Sequence, residues 1–290
     1  MASHVSKPEL IVADRLLSLL ETAELPPWRK PWKGGGVPRN GVSGRPYTGL
    51  NRWLLMLAPY SDGAFVTFNQ AQSLGGSVKK GEKGWPVVFW KFPTADEVAA
   101  GKRPFCRYYT VFNVAQCEGL DLSKIKGLET IEETAHEPIA ACESIWNNYR
   151  GGPALENEEQ RAYYSPNFDK INMPRKETFG KAEDYYSTLF HEMTHSTGHS
   201  SRLNREAIQS VSYGSHEYSE EELVAEFGAA ELCGMAGIEP LTLENSASYI
   251  ASWHKRLKGE PEALILAIKA ASKGVKMILG GGEEKEDADG

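Results

Sequence analysis

A pair of histidines four residues apart, with a glutamate directly after the first, constrains this chain more than any other feature. The pair lies in His191-Glu192-Met193-Thr194-His195. On an α-helix, positions i and i+4 share one face, so both imidazoles can bind one metal ion while Glu192 points toward a water on that ion. The spacing predicts a metal-dependent hydrolase site with His191 and His195 as metal ligands and Glu192 as the catalytic acid and base.

The sequence around this motif favours a helix of the required length. Glu183 and Asp184 are acidic residues of the kind that stabilise a helix N-terminus, and apolar or aromatic residues follow at helical spacing. Gly198 comes shortly after His195 and is a typical stop signal. We therefore expect a buried helix that ends near Gly198.

A catalytic zinc site usually has three protein ligands, and the third must be sought elsewhere. A metzincin would place a histidine six residues beyond the second ligand, but that position is Ser201. His199 lies four residues beyond His195 and extends the same face, although the helix is expected to end before it. His199 thus remains an alternative ligand, or a residue that supports the ligands from outside.

The preferred third ligand lies on a second predicted helix at residues 219–232, which holds strong helix formers and small residues. Glu222 and Glu226 are four residues apart and share one face. We assign Glu222 as the ligand and Glu226 as the carboxylate that accepts the free N–H of a ligating histidine; the reverse assignment stays open. This arrangement resembles that of gluzincins. The expected cofactor is one divalent metal ion, with Zn²⁺ as the first choice.

The metal would lower the pKa of a bound water toward ~7 and polarise a substrate carbonyl. Glu192 would then accept the water's proton and pass it to the leaving amine. An oxyanion stabiliser is also needed, and Tyr213, His216 and Tyr218 precede the Glu222 helix. Of these, we expect Tyr218 to act in catalysis.

The length and the charge distribution indicate two domains. A chain of 290 residues has room for about two. Residues 1–120 hold 15 Lys and Arg against nine Asp and Glu, whereas residues 121–290 hold 17 against 30. We predict a basic domain at 1–122, a linker at 123–137, a second domain at 138–282 and an acidic tail at 283–290. Residues 86–91, 107–114 and 162–174 contain predicted strands.

The basic half combines loops, cations and aromatic rings. No acidic residue occurs between Glu24 and Asp62, and the glycines at 34–36 favour a loop. Such loops suit single-stranded nucleic acid, because Lys and Arg contact phosphates while rings stack on unpaired bases. The candidate DNA-binding residues are Arg29, Lys30, Trp32, Lys33, Arg39, Arg45, Tyr47, Asn51, Lys79, Lys80, Lys83 and Trp85.

Composition also limits the location of the chain. No segment reaches the ~18 consecutive apolar residues of a membrane span, and the N-terminus does not resemble a signal peptide. Cys106, Cys117, Cys142 and Cys233 show neither close pairing nor metal-ligand spacing, so free thiols in a reducing compartment are expected. These features predict a cytoplasmic protein without a membrane partner.

Several motifs together resemble the ArdC antirestriction family. Its N-terminal domain, shared with TraC-type primases of conjugative plasmids, is similar to WRKPW at 28–32, GRPYTGLN at 44–51, TFNQA at 67–71, KGEKG at 80–84 and VFNVAQ at 111–116. Its metallopeptidase domain is similar to DKINMP at 169–174, to residues 191–202 and to EELVAE at 221–226. The resemblance extends over nearly the whole chain.

The resemblance implies an α+β fold with two domains. The first would be a basic mixed α/β domain that binds single-stranded DNA, and the second a zincin-like metallopeptidase domain with the HExxH helix and a small sheet. The implied function is protection of incoming plasmid DNA from host restriction. The alternative is a DNA-targeted metalloprotease whose substrate is a host or DNA-bound protein.

Overall fold

The computed structural model describes residues 5–22, 38–60, 62–99, 101–126, 138–209, 216–238 and 260–280. These residues belong to two compact units, one that precedes residue 135 and one that begins there. Helices and strands occur in both units, as the predicted α+β class requires. The two-domain α+β prediction is therefore confirmed.

The first unit is a four-stranded sheet with helices packed on it. Its helices are α1 (Lys7–Thr22), α2 (Gly49–Met56), α3 (Phe68–Ser73) and α4 (Ala95–Ala99). Its strands are β1 (Arg39–Asn40), β2 (Ala64–Thr67), β3 (Ser77–Val78), β4 (Trp85–Lys91), β5 (Phe105–Asn113) and β6 (Cys117–Glu118). The main sheet has the order β1-β2-β5-β4, and β3 pairs separately with β6. Strand β1 is parallel to β2, and the other pairs are antiparallel.

The core of the first unit forms where α1 and α2 meet the sheet. Helix α1 contacts α2, β4 and β5. Trp53 and Leu54 of α2 and Phe65 of β2 are almost completely buried. The turn from β2 into α3 is fixed by a capping box, in which Thr67 accepts the backbone N–H of Gln70 and the Gln70 side chain accepts that of Thr67. This turn satisfies two N–H groups that a helix start otherwise leaves without partners.

The second unit packs helices against one another and on a small sheet. Its helices are α5 (Pro138–Asn148), α6 (Ala182–Ser196), α7 (Glu206–Gln209), α8 (His216–Ala236) and α9 (Pro261–Ile278). Its strands are β7 (Ala154–Glu156), β8 (Tyr163–Ser165) and β9 (Lys170–Asn172), in the order β7-β9-β8. Strand β9 pairs in parallel with β7 and antiparallel with β8. Helix α6 contacts α8, α9 and the sheet, so it lies at the centre of this unit.

Glycines allow α6 to approach its two partner helices closely. A Cβ atom on Gly228 of α8 would lie 2.4 Å from Thr194 Cγ2 of α6. A Cβ atom on Gly274 of α9 would lie 2.8 Å from Thr197 Oγ1, just beyond α6. Both distances are shorter than any normal carbon contact, so larger residues would push the helices apart. This packing holds α8 close enough for its carboxylates to reach the histidines of α6.

Several boundary predictions can be compared with this fold. Ile125, inside the predicted linker, is buried at 4 % exposure, and the Lys126 N–H donates to Gly41 O at 2.8 Å. Residues 127–137 of the linker and the tail at 283–290 lie outside the described residues. All four cysteines are free, and three of them are buried. Among the described residues, no helix is both long enough and apolar enough to cross a membrane.

Candidate metal centre

Helix α6 brings the two histidines of the motif together. Their Nε2 atoms lie 3.0 Å apart, and the ring planes cross at 80°. Helix α6 buries Tyr186, Leu189 and Phe190 in the core of the unit. The helix ends at Ser196, as the stop signal at Gly198 predicts.

Helix α8 adds a carboxylate to this pair. Glu222 Oε2 lies 3.6 Å from His191 Nε2, and Glu222 Oε1 lies 3.3 Å from His195 Nε2. Ligand atoms at ~2.1 Å from one tetrahedral ion are separated by roughly 3.4 Å, which is close to these distances. In the described part of the chain, these three residues are the group of His, Cys, Asp and Glu side chains whose ligand atoms converge in this way. The donor set therefore fits one divalent cation.

The charges around the histidines also suit a cation. Burial disfavours the charged form of His195, but hydrogen bonds with Glu221 and Glu222 outweigh this and raise its pKa to about 10. Burial opposes protonation of His191 too, yet its contact with Glu222 leaves the pKa raised. Burial likewise disfavours the charged form of Glu222, yet the two imidazoles hold its pKa well below the usual range. The site thus stabilises positive charge between its carboxylates.

A buried ion pair supports His195 from the side away from Glu222. Glu221 Oε1 lies 3.4 Å from His195 Nδ1, and Glu221 is only 2 % exposed. Arg205 donates to both oxygens of this carboxylate, from Nε at 2.8 Å and from Nη2 at 2.5 Å. A carboxylate at Nδ1 fixes a proton there, so a metal ion would take the place of the proton on Nε2.

Arg205 also joins this pair to the end of helix α6. It donates to Thr194 O at 2.9 Å and to Thr197 Oγ1 at 2.7 Å. The last carbonyls of a helix lack the N–H partner four residues further on, and this guanidinium adds a donor to those that Thr197 supplies to Thr194 O. Sequence reasoning missed Glu221 and Arg205. The sequence feature that could have indicated Glu221 is its position directly before Glu222, about 100° around the helix from it.

The other predicted supporting residues lie further from the ligands. Glu226 Oε1 is 3.9 Å from His191 Nδ1, beyond hydrogen-bond distance, and this Nδ1 is buried without a hydrogen-bond partner among the described residues. His199 follows the end of α6, and its Nδ1 lies 2.7 Å from Ser201 Oγ and 3.9 Å from Asp169 Oδ2. Neither residue belongs to the converging group of ligand atoms among the residues that the structure describes.

The predicted catalytic residues are only partly described. Glu192 follows His191 on α6 and is buried at 8 % exposure. Tyr218 lies in the first turn of α8, but its side chain and that of His216 fall outside the described residues, as does Tyr213. The geometry places Glu192 beside the ligand pair and leaves the role of Tyr218 as a prediction.

A second ion pair ties the β8–β9 turn to the end of α6. Arg202 donates from Nη1 to Asp169 Oδ2 at 2.9 Å and from Nε to Ser196 O at 2.8 Å. Tyr164 OH donates to Asp169 Oδ1 at 2.9 Å. Asp169 has a φ of 47°, in the left-handed region that Asp and Asn tolerate better than other side chains do. These contacts hold the sheet against the helix that carries the histidines.

The predicted DNA-binding residues have different environments. Arg29, Lys30, Trp32 and Lys33 lie outside the described residues. Arg39 donates to Lys126 O at 3.0 Å and forms an ion pair with Asp62 at 3.4 Å. Tyr47 is half-buried, while Arg45, Lys79, Lys80 and Lys83 are exposed.

Two of the candidate residues, Asn51 and Trp85, make contacts within the fold. Asn51 bonds to both backbone groups of Val88, at 2.7 Å each, and so satisfies the free edge of β4. Trp85 is 6 % exposed and its ring cannot stack on a base from solvent. Other rings of the β4–β5 hairpin are exposed, and sequence reasoning did not single them out. They are Phe89, Phe92, Phe105, Tyr108 and Tyr109.

Comparison with protein families assigns both units. Residues 144–273 match the model of a zincin-like metallopeptidase, and residues 9–112 match the N-terminal domain of anti-restriction factor ArdC. A DNA primase TraC of Escherichia coli is 34% identical over 92% of this chain, which spans about a quarter (26%) of that primase. The protein y4eC of Sinorhizobium fredii (strain NBRC 101917 / NGR234) is 31% identical over 90% of this chain and 88% of its own length.

Solved structures give the same result at nearly full length. The metal-free crystal structure of the antirestriction protein ArdC from plasmid R388 is 33% identical, with a TM-score of 0.72, and the match covers 95% of this chain and 98% of that one. The Mn(II)-bound structure of that protein gives a TM-score of 0.73 and covers 96% and 99%.

Proposed function

Because the chain belongs to the ArdC family of antirestriction proteins, we propose that it binds single-stranded DNA and protects incoming plasmid DNA from host restriction. The observation that carries this proposal is the similarity to the R388 protein over both units, at 33% identity and a TM-score of 0.72. We assign the DNA to the basic unit at 1–122 and the metal to the unit at 138–282. The place of action would be the cytoplasm, where plasmid DNA meets restriction enzymes.

The charge and the relatives of the first unit support DNA as its partner. Residues 1–120 carry a net charge of +6, and several of the cations, including Lys80 and Lys83, are exposed. The matching part of the Escherichia coli relative belongs to a DNA primase. A basic surface attracts the phosphate backbone irrespective of sequence, as a protector of any entering strand requires.

The second unit would hold one divalent ion through His191, His195 and Glu222. Its donor set of two imidazoles and one carboxylate is the set that zinc hydrolases use, so Zn²⁺ is the proposed metal. When bound, the ion supplies Lewis acidity toward a carbonyl and lowers the pKa of water. Glu221 would orient His195, and Glu192 would accept a proton and deliver it to a leaving amine. Tyr218 is the proposed hydrogen-bond donor to the developing oxyanion.

A second function is favoured by the completeness of this donor set. A protein that only coats DNA needs no buried carboxylate beside a pair of histidines, and Glu192 is buried at 8 % exposure next to that pair. The alternative is therefore a metalloprotease that cleaves proteins bound to DNA. Each unit would then have its own task, with the DNA bringing the protein substrate to the metal.

The proposed DNA binding is tested with the full chain and a fluorescently labelled unpaired oligonucleotide. Fluorescence anisotropy should show binding that weakens steeply between 50 and 200 mM salt, since phosphate neutralisation releases counterions. Six phosphate contacts to a single strand would cost roughly 300-fold in affinity over this range. A duplex of the same length should bind less tightly. Absent binding, or affinity that does not change with salt, would contradict the proposal.

A further inference from the structure

The β4–β5 hairpin presents exposed rings and cations on one face. Opposite residues of an antiparallel pair point to the same side of the sheet. The register pairs Phe89 with Arg107 and Lys91 with Phe105. Tyr109, two residues along β5 from Arg107, points to the same side of the sheet. We call these five residues the hairpin face.

The hairpin face continues a side of the sheet that is buried at its inner end. There, Trp85, Val87 and Val111 are 6 %, 5 % and 1 % exposed. Strand β2 pairs with β5 only as far as Val111, so the hairpin beyond that residue is two-stranded among the described residues. The three rings of the hairpin face lie on this two-stranded part and are 36–45 % exposed.

Cations alternate with these rings across the two strands. Arg107 Cζ lies 4.9 Å from the centre of the Phe105 ring, and Lys91 is exposed opposite that ring. The Phe89 and Tyr109 rings meet edge to face with centres 6.2 Å apart. The hairpin and its connection at 85–113 hold four Lys and Arg against two Asp and Glu. The hairpin therefore carries a net positive charge.

We infer that the hairpin face is the stacking platform for the bases of single-stranded DNA. This inference rests on the proposed function, and it assigns the binding to residues that the basic loops do not include. Each ring offers a flat apolar surface to an unpaired base, while Arg107 and Lys91 lie within reach of the adjoining phosphates. In a duplex the bases are stacked on one another, so the rings would find no partner. The face therefore selects single strands over duplexes.

The test compares the full-length wild type with Phe89→Ala and Tyr109→Ala by anisotropy on a labelled oligothymidine. Each variant should bind the single strand roughly 5-fold to 140-fold more weakly, which is the range for loss of one base–ring stack. The salt dependence of both variants should stay that of the wild type, because they keep every cation. Arg107→Gln should instead reduce the steepness of the slope of log K against log salt by about 0.7, the value for one phosphate contact to a single strand.

Two control variants separate stacking from general damage. Tyr109→Phe keeps the ring and should retain wild-type affinity. Phe168→Ala removes a ring that is 77 % exposed and lies 5.8 Å from Lys170 Nζ in the second unit, and it should also bind like the wild type. Thermal unfolding of each variant checks that the fold is intact.

The outcomes distinguish the inference from the proposed function. If the wild type binds the oligonucleotide but Phe89→Ala and Tyr109→Ala bind equally well, the hairpin face is not the platform, and the proposed function stands. If the wild type does not bind, both fail. If the alanine variants bind normally but change the oligomeric state in light scattering, the face is a contact between copies and the inference is overturned.

Discussion

Replacing Glu221 by Gln should weaken metal binding without touching a proposed ligand. Glu221 accepts from Arg205 at 2.8 and 2.5 Å and lies 3.4 Å from His195 Nδ1, so one carboxylate serves both partners. Glutamine keeps one acceptor oxygen but replaces the other by an NH₂ group, which cannot accept from Arg205. The imidazole then loses the negative charge that makes its Nε2 a better donor to a metal.

The size of this effect follows from the burial of the pair. Loss of a supporting hydrogen bond at a metal site typically reduces affinity 10- to 100-fold, or about 1.4–2.8 kcal/mol. Glu221 is 2 % exposed, so water cannot replace its charge beside Arg205, and the fold should also lose ~3–5 kcal/mol. The metal affinity is measured by competition with a chromophoric chelator, and the stability by urea unfolding of the metal-free protein.

Glu220→Gln is the matched control, because Glu220 precedes Glu221 on the same helix and is exposed. It should change metal affinity less than 2-fold and stability by no more than about 0.5 kcal/mol. If Glu221→Gln bound Zn²⁺ as tightly as the wild type while folded, the carboxylate would not orient His195. Another group would then have to hold the His195 ring in place.

Three further predictions concern the packing and the charges of the second unit. Gly228→Ala should destabilise the fold by ~1–3 kcal/mol in urea unfolding and weaken metal binding, because the new Cβ would lie 2.4 Å from Thr194 Cγ2. Gly234 is exposed on the same helix, so Gly234→Ala should instead stabilise the fold slightly. Equal effects of the two substitutions would refute the close approach of the helices at Gly228. The hydrogen bond with Arg202 lowers the pKa of Asp169, so the ionised carboxylate stabilises the folded protein. Asp169→Asn should therefore cost about 1.5 kcal/mol of stability at pH 7, and this difference from the wild type should fade as the pH falls below about 4. A difference that does not change with pH would exclude the ion pair as its source. Chelation of the metal should lower the Tm, because free ion at a concentration of 100 times its Kd stabilises the native state by about 2.7 kcal/mol. An unchanged Tm in calorimetry would argue against a metal site that forms on folding.

Local periodicity was sufficient to predict which of these side chains share a helix face. Positions four apart share a helix face, so His191 with His195, and Glu222 with Glu226, each had to point the same way. The structure brings the histidines and Glu222 together but leaves Glu226 at 3.9 Å from His191. Which carboxylate approaches closest depends on how α8 lies across α6, and this is set by tertiary packing rather than by spacing.

The residues that sequence reasoning missed, and the burial of Trp85, depend on contacts distant in the chain. Arg205 lies in a connection between helices and meets Glu221 only after folding. The residues next to Trp85 in the sequence do not distinguish it from an exposed ring, but in the folded protein it is only 6 % exposed. Phe89 lies on the same strand and side of the sheet, yet it is 36 % exposed, in the part of the hairpin that extends beyond the last pair of β2 with β5. Alternation along a strand predicts which side of the sheet a residue faces, but it cannot predict where along the strand that side becomes exposed.

Protection by DNA binding is tested by plasmid transfer into a restricting host. The ratio of transconjugants in restricting and non-restricting recipients is measured with the wild type, Glu192→Gln or no protein supplied. We predict that the wild type raises this ratio and that Glu192→Gln raises it equally, because the variant keeps the DNA-binding unit and the metal ligands. Loss of protection in Glu192→Gln, with DNA binding intact, would contradict protection by binding and favour the protease.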